Sequence, residues 1–558
     1  MTTEDNAEEL IIPKDALVFI PLGGVGEIGM NFYLYHYEGK WLIVDLGIGF
    51  PGDTMPGVDV MLPDPSFIEK RKKDIVGLII THAHEDHLGG ISYLWRSLNC
   101  PLYLSPFAAE MLESKLDDAG LIGRVDLRIV DKGTKIQLGP FGIEFISLTH
   151  SIPEPHALAI TTPAGTVFHS GDWKFEEKAL LGEAYDIQAL KRIGKQGVLA
   201  MIGDSTNVFT EVAHKTERDV RESLVELFSH YAQHIVVTCF ASNVARIESI
   251  AYAAAQNGRK VCLMGRSLWR VEDAARATGY LQDTPEFLSE DEAEELNPSD
   301  VLYICTGSQG EPYSALSQLT QRGNRYPRLG EGDVVIFSSR VIPGNEYAIS
   351  KLQNRILATK AEVITERDCL VHVSGHPSRD NMKKMYDIIK PRIAVPVHGD
   401  LSHLLEHVKL AEECNVPFSF AIKDGEAILL DAENPEILGE AETGVLAVDG
   451  NRLVSIGADV FKKRRKIIES GSAVVTVVLT PDYKVVGDPH VSSFDILDKE
   501  KDDILSIEMK IKLAVESIEE TRRDNDDAIK EVVKATLRRC IMESHGKKPM
   551  VEVHLVRL

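Results

Sequence analysis

Ile75-Val76-Gly77-Leu78-Ile79-Ile80-Thr81-His82-Ala83-His84-Glu85-Asp86-His87 is the stretch on which the reading of this chain turns. The apolar run reads as a buried strand. The residues after it place three imidazoles and two carboxylates on one turn. Neutral imidazole and carboxylate are the ligands of zinc and similar divalent ions. In extended chain, residues i and i+2 point the same way, so His82 and His84 can grip one ion. Asp86 and His87 follow as the chain turns into a helix over ISYLWRSLN, and can face a second ion. A plain polar loop is the alternative, but this order of ligands is unusual for one.

One loop cannot complete two metal shells. Further candidates stand at strand ends: His150 closes GIEFISLTH, Asp172 lies in FHSGDWK and His398 in IAVPVHGD. Each alone reads as an ordinary strand-end polar residue. Together with the first motif they read as a converging ligand set. His156 follows Pro155 and opens a new strand, so it is left out of the set.

Working outward, the chain has 558 residues, enough for about three or four domains. Lys and Arg number 61, Asp and Glu 85, for a net charge of −24. A globally basic nucleic-acid coat is excluded, so a polyanion must be held by local basic groups or by metal ions. No apolar run is long enough to span a bilayer, and the acidic N-terminus lacks the order of a secretory signal. Seven scattered Cys with no CxxC pair argue against a disulfide framework and for a reducing cytoplasm.

Short strands with few helices occupy residues 13–214. From 215 to 365, helices such as TERDVRESLVELFSHY alternate with strands such as HIVVTCFAS, KVCLMGRS and DVVIFSSR, which predicts a parallel α/β domain. The first strand type returns over 366–448, in CLVHVSGH, RIAVPVHGD and GEAILLD, consistent with an insertion. Residues 1–12 read as disordered, ENPEILGEAETG and 449–465 as linker, and 466–558 as a small unit. That unit is expected to hold a hairpin (AVVTVVLT with YKVVGD), helices over about 502–521 and 526–543, and a last strand, VEVHLVRL. Lys462 to Lys466 form the sharpest basic run, which reads as a solvated linker end or a polyanion contact. Gly24-x-Gly26-x-x-Gly29 matches a dinucleotide fingerprint, but a strand and not a helix follows, so it reads as a tight turn near the metal cleft.

The order His82-x-His84-x-Asp86-His87, His150, Asp172 resembles the metallo-β-lactamase superfamily. Gly203-Asp204-Ser205-Thr206, Ser374-Gly375-His376 and Val397-His398-Gly399 resemble the three further motifs of its β-CASP nucleases. FASN (240–243), GRS (265–267), TGSQGEP (306–312) and the C-terminal unit narrow the resemblance to the ribonuclease J family. It implies an α/β (α+β) fold: an αββα sandwich, an inserted β-CASP α/β domain and a small C-terminal α/β domain.

The resemblance also implies roles. His82, His84 and His150 would bind one Zn²⁺ (or Mn²⁺), and Asp86, His87 and His398 a second, with Asp172 bridging. A hydroxide activated by both ions would attack the phosphodiester, leaving a 5′-phosphate. Asp86, Asp204 and His376 would be catalytic: His376 at the scissile phosphate or leaving oxygen, Asp204 accepting the second ring proton of a metal-ligand His. His372, Val373, Ser374, Gly375 and His376 would form a substrate-phosphate loop. Ser242, Asn243 and Arg266 would hold RNA or its 5′ end, although strand-end Ser and Asn often only cap a helix. The implied activity is 5′→3′ exonuclease action on 5′-monophosphate RNA, with endonuclease cleavage possible, in RNA decay and maturation. A homo-oligomer (dimer or tetramer) is implied, with RNA-decay or ribosome-associated proteins as further partners. The rivals are a small-molecule metallo-hydrolase, a DNA-processing β-CASP enzyme, which His398 disfavours, and an inactive RNA-processing scaffold.

Overall fold

The computed structural model describes residues 10–51, 55–211, 215–321, 327–498 and 503–558. Residues 1–9, most of the segment read as disordered, lie outside these. Among the described residues the chain divides into two compact units. One is built from the chain up to Phe50 and from Val60 to Leu446; the other from Ala447–Leu558 with the short segment between Phe50 and Val60.

The first unit is organised around two facing sheets. Eight strands make one, with Val18–Gly23, Phe32–Tyr37, Lys40–Val44 and Ile75–Ile79 adjacent at its centre. Seven make the other, which includes Phe141–Ser147, His156–Thr162, Gly165–His169, Val198–Asp204 and Pro391–Val397. Side chains alternate across a strand, so each sheet can send one face inward. Phe19, Tyr33, Tyr35 and Val44 from one sheet meet Phe141, Ile143, Phe145 and Ile160 from the other in a single buried core. On the outer face of the second sheet, Ile146 and Phe168 pack on Leu190 and Ile193 of helix Ile187–Gln196 and on Met385 and Ile389 of helix Arg379–Ile389. This is a helix-covered sandwich.

Val198–Asp204 pairs in parallel with Pro391–Val397, and Val18–Gly23 pairs with Glu426–Leu429. The chain therefore leaves the sandwich between two neighbouring strands and returns to complete both sheets. The excursion is a five-stranded sheet in the order Lys260–Met264, Val301–Cys305, Ile235–Thr238, Val334–Phe337, Glu362–Ile364. Every pairing in it is parallel, as the strand–helix alternation predicts.

In the second unit, Ser472–Leu479 buries every other residue. Its inward Val475 and Val477 pack on Ile511 and Val515 of helix Ile504–Glu516 and on Val533 and Leu537 of helix Asp526–His545. All seven cysteines are free thiols.

Four local readings differ from the structure. CLVHVSGH is not a strand; the carbonyl of Val371 accepts from Arg246 Nη1 and Ser338 Oγ in place of a ladder. The antiparallel partner of Ser472–Leu479 is His490–Phe494, with Met550–Arg557 parallel on its other side; YKVVGD contributes one bridge, Leu479 to Val485. ENPEILGEAETG holds the edge strand Glu436–Glu440, paired through Ile437 to Ile428. Residues 449–465 are not a linker: they hold strand Arg452–Ser455 and part of helix Asp459–Ser470, whose exposed face carries Lys462, Lys463 and Lys466.

Candidate metal centre

Strand Ile75–Ile79 delivers His82 and His84 in extended chain, and helix Glu85–Leu88 then turns Asp86 and His87 toward the same point. His150 follows strand Phe141–Ser147, Asp172 follows Gly165–His169, and His398 follows Pro391–Val397. Among the described residues three groups of possible ligand atoms gather: His82, His84, His150 and Asp172; Asp86, His87, His398 and Asp172; and the smaller set Asp172, Asp204 and His376. The first two hold the residues that the resemblance groups together, with Asp172 in both.

Ligand atoms about 2.1 Å from a tetrahedral ion stand about 3.4 Å from one another. Here His82 Nε2 to His84 Nδ1 is 3.0 Å and His84 Nδ1 to His150 Nε2 is 3.1 Å. Asp172 Oδ2 lies 3.7 Å from His82 Nε2 and 3.8 Å from His150 Nε2. In the second group it lies 3.3 Å from His87 Nε2 and 3.5 Å from His398 Nε2. Asp86 Oδ2 is 3.7 Å from both of those rings. The spacings bracket the tetrahedral edge, so the residues fit divalent ions.

The ring tautomers agree. A carboxylate or carbonyl oxygen can only accept, so the ring nitrogen facing it carries the proton and the other is left as a ligand. His87 Nδ1 donates to Asp45 Oδ2 at 2.7 Å, His150 Nδ1 to the Gly375 carbonyl at 2.6 Å, and His398 Nδ1 to Asn31 Oδ1 at 2.9 Å. Thr81 Oγ1 gives its proton to Asp45 Oδ2 and so accepts from His82 Nδ1. In all four, Nε2 points at the centre.

Electrostatics separates the two groups. Burial keeps the His82 and His150 rings well below the usual histidine range and His84 down to about 4, which holds them in the neutral, ligating form. Burial also opposes charge on His87, but Asp172, Asp86 and Asp45 together hold it well above that range. This position attracts a cation.

Asp45 and Asn31 are site residues that the sequence reading missed. Asn31 Nδ2 donates to the Asp86 carbonyl at 2.9 Å while its Oδ1 orients His398. Asp45 and His398 have left-handed φ of 61° and 55°, strain of the kind that collects at functional sites. The Gly24–Gly29 turn lies against the site: the Gly24 carbonyl accepts from His398 N, and Gly24, Gly26 and Gly29 all have positive φ. Replacing Asp45 with Ala is expected to weaken metal binding by about 10–100-fold. Metal titration followed by activity would show it, and unchanged affinity would remove Asp45 from this role.

His376 Nδ1 donates to Asp204 Oδ2 at 2.8 Å and lies 3.8 Å from Asp172 Oδ2. Asp204 therefore orients His376 and not one of the ligand histidines, correcting the sequence expectation. Its other oxygen accepts from Thr206 N and Oγ1, which fixes the carboxylate plane. Burial disfavours the charged ring, yet Asp204 and Asp172 outweigh it and push His376 up to about 9. Asp86 is 29 % exposed and His376 21 %, against 4 % for Asp172, so the centre is open on the side these two line.

The loop from His372 to His376 is held from several directions. A Cβ on Gly375 would sit 2.8 Å from the His150 ring, so only glycine allows this approach. Asn207 Nδ2 donates to Ser374 Oγ and the His376 carbonyl, and Arg340 donates to Asn207 Oδ1. His372 is depressed by burial and by three nearby cations, Arg246, Arg340 and Lys174. The cations thus lie at the start of the loop, while the carboxylates of Asp204 and Asp172 face its end at His376. Val373 is half-buried in the loop. Asn243 instead caps helix Val244–Gln256, its Oδ1 accepting from Arg246 N, and it is buried. Ser242 stands half-buried at the same strand end, and Arg266 opens helix Arg266–Ala277 in solvent. The structure does not bring Asn243 or Arg266 to the metal ligands through any hydrogen bond. His156 belongs to neither ligand group.

Residues 25–239 match the metallo-β-lactamase superfamily model, and residues 232–356 the ribonuclease J β-CASP domain. Residues 360–417 match a Zn-dependent metallo-hydrolase RNA specificity domain, and 459–558 the ribonuclease J C-terminal domain. Ribonuclease J of Sinorhizobium meliloti is 40 % identical over 553 residues, 98 % of each chain. Ribonuclease J 1 of Streptococcus pyogenes is 36 % identical and that of Thermus thermophilus 33 %, each over 84 % of both chains. With the inserted parallel domain, the doubled ligand set and this end-to-end similarity together, the chain belongs to the ribonuclease J family.

Proposed function

We infer that this chain is a metal-dependent ribonuclease that hydrolyses RNA phosphodiesters at the centre where Asp172 is shared by the groups of possible ligands. The observation that carries the reading is the pair of ligand groups sharing one buried carboxylate, with His376 and its loop on their open side. His82, His84, His150 and Asp172 would hold one divalent ion, and Asp86, His87, His398 and Asp172 a second, Zn²⁺ or Mn²⁺. Bound ions would supply a water of lowered pKa and positive charge against the developing phosphoryl charge.

The chain's own groups do the rest. Asp45, Thr81, Asn31 and the Gly375 carbonyl fix ring orientation. Ser374 and protonated His376 would face the phosphate, with His376 N donating to Ser374 Oγ to shape the loop. His376, kept protonated by Asp204, is placed to give its proton to the leaving oxygen. Arg340 adds positive charge beside His372. In this reading, cleavage runs 5′→3′ from a 5′-monophosphate, with internal cleavage as a second mode, in RNA decay and maturation in the cytoplasm. No helix among the described residues is long and apolar enough to cross a membrane.

One RNA oligomer labelled at its 5′ end, offered with a 5′-monophosphate or a 5′-triphosphate in Mn²⁺ or Zn²⁺, tests this. Early labelled mononucleotide from the monophosphate form alone is expected. Intermediate fragments from both forms would make internal cleavage the main mode. Absence of RNA cleavage with any metal, with turnover of a simple thioester, would make the chain a small-molecule hydrolase.

The C-terminal unit supports self-association. Leu505, Met509 and Leu513 lie four residues apart on helix Ile504–Glu516 and are 75 %, 51 % and 59 % exposed, an uncovered apolar stripe. Leu513→Asp is expected to lower the mass measured by light scattering to that of the monomer. An unchanged mass would move the interface elsewhere.

A further inference from the structure

Arg246 is fully buried in the inserted domain, on helix Val244–Gln256. Its Nε and Nη2 donate to the two carboxylate oxygens of Glu217 at 2.7 and 2.8 Å. Its Nη1 donates to the Ser338 carbonyl and hydroxyl, each at 2.9 Å, and to the Val371 carbonyl at 3.0 Å, with His372 Nδ1 at 3.3 Å. Ser338 Oγ passes its own proton to the Val371 carbonyl at 2.7 Å. Val371 is the last residue before the loop that carries His376. One guanidinium thus joins two helices and a strand end of the inserted domain to the start of that loop.

The contacts continue on the other side. Glu217 N donates to Glu176 Oε1 at 2.9 Å, and Glu176 N donates to Thr149 Oγ1 at 3.2 Å. Thr149 precedes His150, whose Nδ1 donates to Gly375 of the same loop. The path from His150 through Thr149, Glu176, Glu217, Arg246 and Val371 to Gly375 closes on itself. A buried guanidinium in a bidentate pair has one geometry, unlike an ammonium.

We propose that Arg246, braced by Glu217, is the positioning residue that sets the phosphate loop against the metal centre. The inserted domain would then act on the reaction by holding His376 in place, without Arg246 touching the reacting atoms. This rests on the reading of the loop as the phosphate-binding element.

The test is a double-variant cycle on the full-length, metal-loaded protein, with kcat and KM measured on 5′-monophosphorylated RNA. Arg246→Lys keeps the charge and loses the fork. It is expected to lower kcat about 100-fold with KM changed less than about threefold, the size of effect an ångström of misplacement produces. Ser338→Ala leaves the Arg246–Glu217 pair intact and removes one tether to Val371, so it stays informative if Arg246→Lys does not fold. Its expected loss is about tenfold.

The deciding readout is the combination with His376→Ala. If Arg246 works by placing His376, then Arg246→Lys or Ser338→Ala costs little more once His376 is gone, about threefold at most. A purely structural lesion reduces the active fraction and multiplies with the loss at His376. Multiplying losses would overturn the proposal, as would wild-type kcat in both Arg246→Lys and Ser338→Ala. An unimpaired His376→Ala enzyme would instead sink the reading of the loop itself, and the proposal with it.

Discussion

Asp172→Asn should reduce RNA cleavage by at least about a thousandfold and leave the purified protein short of at least one metal ion per chain. Among the described residues, the Asp172 carboxylate belongs to every group of possible ligands, with Oδ2 between 3.3 and 3.8 Å from Nε2 of His82, His87, His150 and His398. An amide of the same shape carries no charge and presents a donor where a ligand is needed. The carboxylate is almost fully buried, and burial alone would raise its pKa. His398, His87 and His376 hold it well below the usual range, so it stays ionised. Two ions held there would supply several kcal/mol of stabilisation, and each 1.36 kcal/mol is tenfold in rate. Metal analysis of the purified variant beside its single-turnover rate makes the check. Wild-type metal content with wild-type cleavage would remove Asp172 from the bridging position.

His376→Ala is the second large effect, a loss of about 10²–10⁴-fold on ordinary RNA. Asp204 holds Nδ1, so the opposite nitrogen is the one free to meet substrate. A proton donor matters in proportion to how poor the leaving group is. On a substrate with a nitrophenolate leaving group the variant should therefore recover most of its rate. An equal loss on both substrates would mean that His376 acts by charge against the phosphate, not as an acid. Asp204→Asn should follow the same pattern more weakly, because the ring stays present but loses the partner that keeps it protonated.

The candidate ligand cluster was legible because its chemistry is concentrated. His82, His84, Asp86 and His87 fall within six residues, and the remaining three end apolar strands. The sandwich and the parallel insert were legible from the switch between strand-only and strand–helix patterns. What stayed hidden were residues whose role is a tertiary contact. Asn31 reaches His398 across 367 residues, Asp45 reaches His87 across 42, and Arg246 reaches Val371 across 125. A lone Asn after a glycine turn, or an Arg on an amphipathic helix, has no local signature of that kind. The same blindness made CLVHVSGH look like a strand. Its apolar alternation is real, but side chains from the inserted domain satisfy its backbone. In the second unit, the weakly apolar HVSSF lost to the stronger-looking YKVVGD because register depends on the sheet it joins.

The insertion between Val198–Asp204 and Pro391–Val397 also sets a timetable for synthesis. A growing chain that has emitted Asp204 carries an unpaired sheet edge until Pro391–Val397 emerges. At about 5–20 residues per second, that interval is roughly 10–40 s. During it the exposed edge is the segment most prone to pair with a stranger. It also leaves the nascent chain without His376 and His398. The centre thus stays incomplete until residue 398 of the 558 has been made.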